Sequence, residues 1–220
     1  MKAWQRRLEE TLRATDAPAV LSRDLLTRMA RTAREGEPVP TSSLTHWLKG
    51  ARAAEHLVPV VRGLYLNQYR RSPVSLVDAA HLLVADAVIS LNTVLGDGGI
   101  LNNPSRIVTA MVPIDRRAPP PKLGRRTTRV GTVHFFGLPR RILEAGRPED
   151  RLESTTPRDH ARATPEKALL DWLYLSESPR SRRTLPPKGD LDLDLLDRAR
   201  LKRLAAAMGL TRALSSWWTS

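Results

Sequence analysis

The sequence predicts an α+β protein with a helical first part and a mixed second part. Apolar residues recur at helical spacing through the first 55 residues, and a short β-branched run follows at residues 57–66. Further runs rich in Val, Ile, Thr and Phe lie between residues 106 and 136. The Thr164-Pro165 pair then marks the start of a strongly apolar helix. Helices and strands are therefore both expected to contribute to the core.

Length and composition indicate two small domains. The chain has 220 residues, of which 41% are hydrophobic, so it can bury a sizeable core. Residues 68–73 are polar and basic and end in a proline, which is typical of a domain boundary. We therefore expect one domain over residues 1–72 and a second over residues 73–220.

Three helices are expected in the first domain. Trp4, Leu8 and Leu12 recur four residues apart, so that one face of the first helix would be buried. Ser22 is a suitable N-cap for the second helix. The apolar stripe of that second helix consists of Leu25, Leu26, Met29, Ala30 and Ala33.

The third predicted helix has two faces of different chemistry. It starts at Pro40-Thr41, and an apolar stripe recurs along one side at helical spacing. This stripe consists of Leu44, Trp47, Leu48 and Ala51. The polar and basic residues of the helix are Ser42, Ser43, Thr45, His46, Lys49 and Arg52. Such a face suits the major groove of DNA, although a solvated surface helix has the same pattern.

Two short strands are predicted directly after the third helix. The apolar run at residues 57–66 is divided by Arg62-Gly63, which indicates a tight turn. Helix, turn, helix and hairpin in this order are typical of a winged helix-turn-helix, in which Arg62 would touch the DNA backbone or minor groove. The sequence therefore predicts a DNA-binding first domain.

In the second domain, we expect a helix capped by Ser75 and another short helix capped by Ser90. Residues 106–113 and 129–136 are candidate strands of a small mixed sheet. The helix that starts at Thr164 should be central, because residues 168–175 are apolar nearly all round. Asp194 is expected to cap a last helix that ends at Gly209.

The formal net charge of +13 is unevenly distributed along the chain. Residues 1–72 hold 13 Lys/Arg against 7 Asp/Glu, and residues 116–183 hold 16 against 8. Such a field favours nucleic acid as a partner, because each phosphate contact releases counterions. Possible phosphate contacts in the second domain are Arg116, Arg117, Arg125, Arg126, Arg140 and Arg141. The alternative is a solvated face that contributes only long-range attraction.

Several classes of protein and of site lack support in the sequence. Cysteine is absent, and no secretion signal or membrane span is visible, so we expect a cytoplasmic protein without membrane contact. We expect no catalytic residues, no metal and no cofactor, because no nucleophile elbow and no histidine ligand spacing occurs. In a strand, Asp190, Asp192 and Asp194 would share one face and could bind a metal ion. Acidic residues are also common at a helix N-terminus, and this is the simpler explanation for them.

Three motifs of the chain are the most specific: Arg62-Gly63-Leu64-Tyr65, Val88-Ile89-Ser90 and the run at residues 163–171, ATPEKALLD. With these motifs, the sequence resembles the AbiEi family of abortive-infection antitoxins over nearly the whole chain. One departure is Asp97-Gly98-Gly99, where family members commonly carry an aromatic-His-Gly turn. The resemblance implies a winged helix that binds inverted-repeat operator DNA upstream of its own operon. It also implies a C-terminal α/β antitoxin domain that counteracts a nucleotidyltransferase-like toxin.

Two other functions fit parts of the sequence. A ligand-responsive winged-helix regulator without a toxin partner would bind a small molecule beneath the helix that starts at Thr164. An enzyme that uses the Asp190 set with a divalent metal would turn over nucleotides. An adjacent gene for a nucleotidyltransferase would favour the antitoxin over both.

Overall fold

The protein has a mixed α+β fold, as the sequence predicts. A computed structural model describes residues 1–115, 119, 121–153, 160–179, 181 and 183–219. Helices occur with two sheets, one of three strands and one of four. The chain divides into two compact units, residues 1–79 with 128–130 and residues 80–127 with 131–219. Within these described residues, no helix is long and apolar enough to cross a membrane.

The three predicted helices of the first unit are confirmed. They are α1 (Ala3–Arg13), α2 (Arg23–Ala33) and α3 (Thr41–Ala53). Ser22 caps α2 as expected, because its Oγ accepts a hydrogen bond of 3.0 Å from the amide of Leu25. The apolar stripes of all three helices meet in one core, which includes Trp4, Leu8, Leu26, Leu44 and Trp47.

A three-stranded sheet completes the first unit. The expected hairpin consists of β2 (Leu57–Val61) and β3 (Leu64–Asn67), paired antiparallel across the Arg62-Gly63 turn. A further strand, β1 (Val20–Ser22), pairs with the other edge of β3 and was not predicted. Three residues are too few to show an alternating pattern, so only the pairing partner identifies this strand.

Asn67 connects the sheet to the helices of the first unit. Its side chain is fully buried, and its amide nitrogen donates hydrogen bonds of 3.0 Å to the carbonyls of Leu12 and Pro18. Its side-chain oxygen accepts from the amide of Tyr69. Because a buried amide needs partners for each of its polar atoms, Asn67 fixes the end of α1 against the end of β3.

The second unit contains the four-stranded sheet and the remaining helices. The sheet order is β4 (Val88–Ile89), β5 (Val108–Ile114), β7 (Gly131–Pro139) and β6 (Gly124–Thr128). β4 pairs antiparallel with β5, and β5 pairs parallel with β7. The helices are α4 (Leu76–Leu83, across the boundary between the units), α5 (Asn92–Asp97), α6 (Arg140–Leu143), α7 (Pro148–Arg151), α8 (Pro165–Glu177), α9 (Arg198–Met208) and α10 (Thr211–Thr219).

Helix α8 is the central helix that the sequence predicts. Thr164 caps it and Pro165 occupies its first turn. Its buried residues include an ion pair one turn apart, Lys167 with Asp171, both almost inaccessible to solvent. Asp171 also accepts a hydrogen bond of 2.8 Å from Ser90 Oγ. Burial raises the pKa of the Asp171 carboxyl, and Lys167 and Ser90 oppose that rise because they stabilise the carboxylate.

Two capping assignments made from the sequence are wrong. Ser90 does not cap α5, because Leu91 holds the N-cap position and the Ser90 hydroxyl is directed at the buried carboxylate of Asp171. Asp194 does not cap α9, because Asp197 holds that position and accepts from the amides of Ala199 and Arg200. Local sequence offers several acceptable caps in each region, and only the tertiary partners select one of them.

The segment with the three aspartates is not a strand. Asp190 belongs to a 3-10 turn at Lys188–Asp190, and Asp194 to a second at Leu193–Leu195. Asp192 caps the second turn with its side chain. The shared strand face on which the metal interpretation rested is therefore missing. Within the described parts of the chain, no three His, Asp or Glu side chains come together to hold a metal ion. Helix α9 is also not the last helix, since α10 follows it.

We predict that Lys167→Ala lowers the free energy of unfolding by about 3 to 5 kcal/mol, because it leaves the Asp171 charge buried without its partner. The double variant Lys167→Met, Asp171→Leu should recover at least half of this loss, because it removes both charges. Urea unfolding followed by circular dichroism measures both values. Lys202→Ala on the exposed side of α9 is the control, and a loss as large in this control would contradict the assignment.

Candidate nucleic-acid interface

Helix α3 exposes the polar face that the sequence predicts. Ser42, Thr45, His46, Lys49 and Arg52 are exposed, and Ser43 is half-buried. The opposite stripe, Leu44, Trp47, Leu48 and Ala51, is buried in the core of the first unit. The indole nitrogen of Trp47 also donates a hydrogen bond of 3.2 Å to the Glu9 carboxylate on α1. The apolar stripe therefore fixes the rotation of α3 and directs the hydroxyl and basic groups to solvent.

The first turn of α3 suits a negatively charged ligand. Pro40 precedes the helix, no side chain caps it, and no acidic residue occupies its first turn. The amides of this turn carry the positive end of the helix dipole. Two serines of the predicted face, Ser42 and Ser43, lie in the same turn and offer hydroxyl donors.

Four carboxylates of the first unit form ion pairs with arginines outside α3. Glu9 and Glu10 on α1 pair with Arg13 and Arg6, at 3.4 and 3.9 Å. After α2, Glu35 pairs with Arg7 at 2.5 Å, and Glu37 pairs with Arg34 at 3.1 Å.

The basic residues of the candidate interface, by contrast, have no acidic partner in the part of the chain that the structure describes. Among the described residues, no carboxylate forms an ion pair with Lys49, Arg52 or Arg62. Their positive charge is therefore not neutralised within the first unit.

Arg23 joins the predicted site, although the sequence gave no reason to select it. Its Nη2 donates a hydrogen bond of 3.0 Å to Thr45 Oγ1 on α3. Its backbone amide donates a hydrogen bond of 2.8 Å to the carbonyl of Gly63 in the hairpin turn. Arg23 thus brings the start of α2, the middle of α3 and the β2–β3 turn together. One feature of the sequence could have indicated Arg23: it directly follows the Ser22 cap, at the N-terminus of a helix, where backbone groups face solvent.

The β2–β3 turn presents Arg62 to solvent. Gly63 has a φ of +81°, a conformation that residues with a Cβ atom rarely adopt. Arg62, directly before it, is exposed. Glycine therefore allows the tight turn, and the turn places the basic side chain of Arg62 at the tip of the hairpin.

The predicted phosphate contacts of the second unit differ in their availability. Arg116 and Arg117 lie outside the described residues. Arg126 donates to the carbonyl of Leu83, and Arg140 pairs with Glu144 at 2.9 Å. Arg125 and Arg141 are exposed and form no ion pair with a described carboxylate. Among the described arginines of this set, Arg125 and Arg141 are therefore exposed without an acidic partner, whereas Arg126 and Arg140 already have partners within the second unit.

Comparison with known proteins adds information on the fold. No family model matches this sequence, and a comparison with curated proteins found no match. Among solved structures, the chain is similar to the RV2827C protein from Mycobacterium tuberculosis, with a TM-score of 0.52 and 18% sequence identity. The similarity covers 97% of this chain and 78% of that one. At this identity the likeness concerns the fold alone.

We predict that duplex DNA of mixed sequence, added at low salt, slows amide hydrogen exchange in two segments of the first unit. These are residues 41–53, with the polar face of α3, and residues 61–64, with the hairpin turn. Phosphates near the unpaired cations would shield these amides from solvent. Mass spectrometry of peptides locates the protection, and residues 3–13 are the internal control. Protection confined to α1 would contradict the candidate interface.

Proposed function

We propose that this protein is a DNA-binding antitoxin of the AbiEi type, which represses its own operon and counteracts a nucleotidyltransferase-like toxin. In this proposal the first unit is a winged helix-turn-helix, with α3 as its recognition helix and the β2–β3 hairpin as its wing. The observation that carries the DNA-binding part is the exposed face of α3, whose Lys49 and Arg52 have no described carboxylate partner.

The shape of the first unit supports insertion of α3 into the major groove. An α-helix fits that groove, and its exposed hydroxyl, imidazole and basic groups reach base edges and phosphates. Thr45 and His46 lie near the middle of the face and suit base contacts, whereas Lys49 and Arg52 suit phosphates. Arg23 connects the hairpin tip with α3, because it donates hydrogen bonds both to the Gly63 carbonyl, next to Arg62, and to Thr45 on α3.

The antitoxin part rests on the resemblance in sequence. Its strongest motif, residues 163–171, belongs to the second unit and is almost wholly buried, including the polar residues Thr164, Glu166, Lys167 and Asp171. A buried segment cannot touch a partner, so this motif supports a shared fold rather than a shared contact surface. Any direct contact with a toxin would have to use other residues of the second unit.

A ligand-responsive regulator without a toxin is the second candidate. It is favoured by a cleft of about 670 Å³ between β7 and the C-terminal end of α8, a volume within the usual range for small molecules. Co-expression separates the two functions, because only an antitoxin restores growth to cells that produce the toxin.

We predict that Lys49→Ala and Arg52→Ala each weaken binding to a DNA site selected by the full-length protein from a random pool. If each residue contacts one phosphate, the slope of log K against log salt should fall by roughly 1 per variant. A base-reading residue such as Thr45 or His46 should instead lose about 1 to 3 kcal/mol of sequence discrimination. Fluorescence anisotropy at several salt concentrations measures both quantities.

Arg6→Ala is the matched control for these variants. Arg6 is an exposed arginine of the same unit, but it lies on α1 and is near Glu10. Its removal changes the net charge by the same amount as the removal of Arg52. An equal effect of Arg6→Ala would assign the binding to overall charge rather than to the face of α3.

We predict that the full chain binds two inverted half-sites cooperatively, whereas residues 1–79 bind each half-site independently. A single recognition helix reads only a few base pairs, so a second bound copy raises affinity through effective concentration. The second unit, which the shorter chain lacks, is the available coupler. Electrophoretic shifts on one and two half-sites give the Hill slopes, and circular dichroism checks that residues 1–79 are folded.

The same pair of chains tests the antitoxin role. The full chain should restore growth to cells that express the toxin from the adjacent gene, and residues 1–79 should not. Rescue by the folded residues 1–79 would remove the role of the second unit. Equal Hill slopes for the two chains would remove its coupling role.

A further inference from the structure

A cleft in the second unit has the features of a binding site for a small anion. It has a volume of about 670 Å³ and lies between β7, the end of β5 and the C-terminal end of α8. Its polar lining residues are Arg125, His134, Ser178, Ser181 and Arg183, and Phe135 and Phe136 also line it. No described lining residue carries a carboxylate, so the lining has an excess of positive charge.

Arg183 is a largely buried cation with no acidic partner among the residues that the structure describes. Its guanidinium carbon lies 4.2 Å from the ring centroid of Trp172 and 5.1 Å from that of Phe136. One of its nitrogens donates to Asn92 Oδ1, and its Nε is buried without a hydrogen-bond partner among the described residues. Burial lowers the pKa of Arg183 to about 10, so it remains charged at neutral pH.

The cost of burying Arg183 is only partly offset by what surrounds it. The two aromatic rings attract the guanidinium, but no described carboxylate forms an ion pair with it. A buried charge is normally paired, because leaving it without a counter-charge is unfavourable. An anion bound in the cleft would supply that counter-charge.

A second arginine faces the same space. Arg125 on β6 lines the cleft and is exposed. The pKa of His134 is lowered, first by burial and then by the positive charges of Arg125 and Arg183, so both cations act on the same imidazole. His134 is therefore neutral at neutral pH and offers one ring nitrogen as donor and the other as acceptor.

Aromatic rings form one wall of the cleft. His134 and Phe136 are two residues apart on β7 and lie on the same face of the strand, with ring centroids 4.0 Å apart and a tilt of 31°. Gly137 follows them, and a Cβ atom there would collide with the side chains of Ile114 and Leu123. Glycine at this position therefore leaves room for the side chains of Ile114 and Leu123, which also line the cleft.

We infer that this cleft binds a nucleoside phosphate, with the phosphate held by Arg125 and Arg183 and the base set against His134 and Phe136. Two cations that share a cleft with no described carboxylate match a phosphate, and guanidinium groups bind phosphate through paired hydrogen bonds. Half-buried rings match a planar base, because stacking on aromatic side chains is a general mode of base recognition. Inorganic phosphate alone would leave most of the 670 Å³ and the aromatic wall unused.

This inference does not depend on DNA binding by the first unit. It concerns only residues of the second unit, and it assigns them a ligand of low molecular weight. The hydroxyls of Ser178 and Ser181 line the same cleft and are available to the phosphate or the sugar.

Calorimetric titration of the full-length protein with single ligands tests the inference. The ligands are AMP, GMP, CMP and UMP, the corresponding triphosphates, adenosine and inorganic phosphate. At least one nucleotide should bind about tenfold or more tightly than both adenosine and inorganic phosphate. Trp172 lies beside Arg183 and gives a second readout, because occupancy of the cleft should change tryptophan fluorescence.

Two variants locate the binding. Arg125→Gln removes an exposed cation of the cleft and should weaken nucleotide binding by about tenfold without a change in thermal unfolding. Arg141→Gln is the matched control, since Arg141 is an exposed arginine of the same unit that does not line the cleft. Phe136→Leu should reduce the preference for nucleotide over inorganic phosphate.

Three outcomes would overturn the inference. The first is that no mononucleotide binds better than inorganic phosphate, which would leave the aromatic wall without a role. The second is an equal loss in Arg125→Gln and Arg141→Gln, which would indicate general electrostatic attraction. The third is binding of single-stranded oligonucleotides alone, which would assign the arginines to a nucleic-acid surface.

Discussion

The second unit depends on an ion pair that lies inside its own central helix. Helix α8 is buried on nearly all sides, so Lys167 and Asp171 have no water to solvate them and must neutralise each other. Ser90, directly after β4, donates to the same carboxylate and so ties the end of that strand to α8. Removing either charge leaves the other buried without its counter-charge, whereas exposed pairs elsewhere in the chain contribute little.

This arrangement separates the residues that build the fold from those available for recognition. The segment at 163–171, on which the proposed family assignment mainly rests, is almost wholly buried, so it organises the second unit rather than touching a partner. In the proposals made above, recognition uses the exposed face of α3, the Arg62 turn and the cleft beside Arg183. The first two present separate charges on a solvated surface, which suits an extended polyanion. The cleft instead concentrates two cations and two aromatic rings in a concave space, which suits one small anion.

The sequence alone determined those elements whose signals are local. The apolar stripes of α1, α2 and α3 follow from helical spacing, the Ser22 and Thr164 caps from side-chain chemistry, and the Arg62-Gly63 turn from glycine. The exposure of Lys49 and Arg52 followed from the same periodicity, because a buried stripe on one side of a helix leaves the other side in solvent. That part of the candidate site could therefore be predicted without a structure.

Tertiary structure alone decided which of several possible partners each remaining residue takes. Strand β1 has only three residues and forms because it pairs with the edge of β3. Ser90 donates its hydroxyl to the buried Asp171 instead of capping a helix. Arg23 joins the α3 site only because Thr45 and the Gly63 carbonyl come within hydrogen-bond distance. Arg125, His134 and Arg183 meet at one cleft although up to 58 positions separate them in sequence. A periodic pattern predicts only which residues share a face of one helix or strand. Contacts between distant segments depend on how these elements pack in the core.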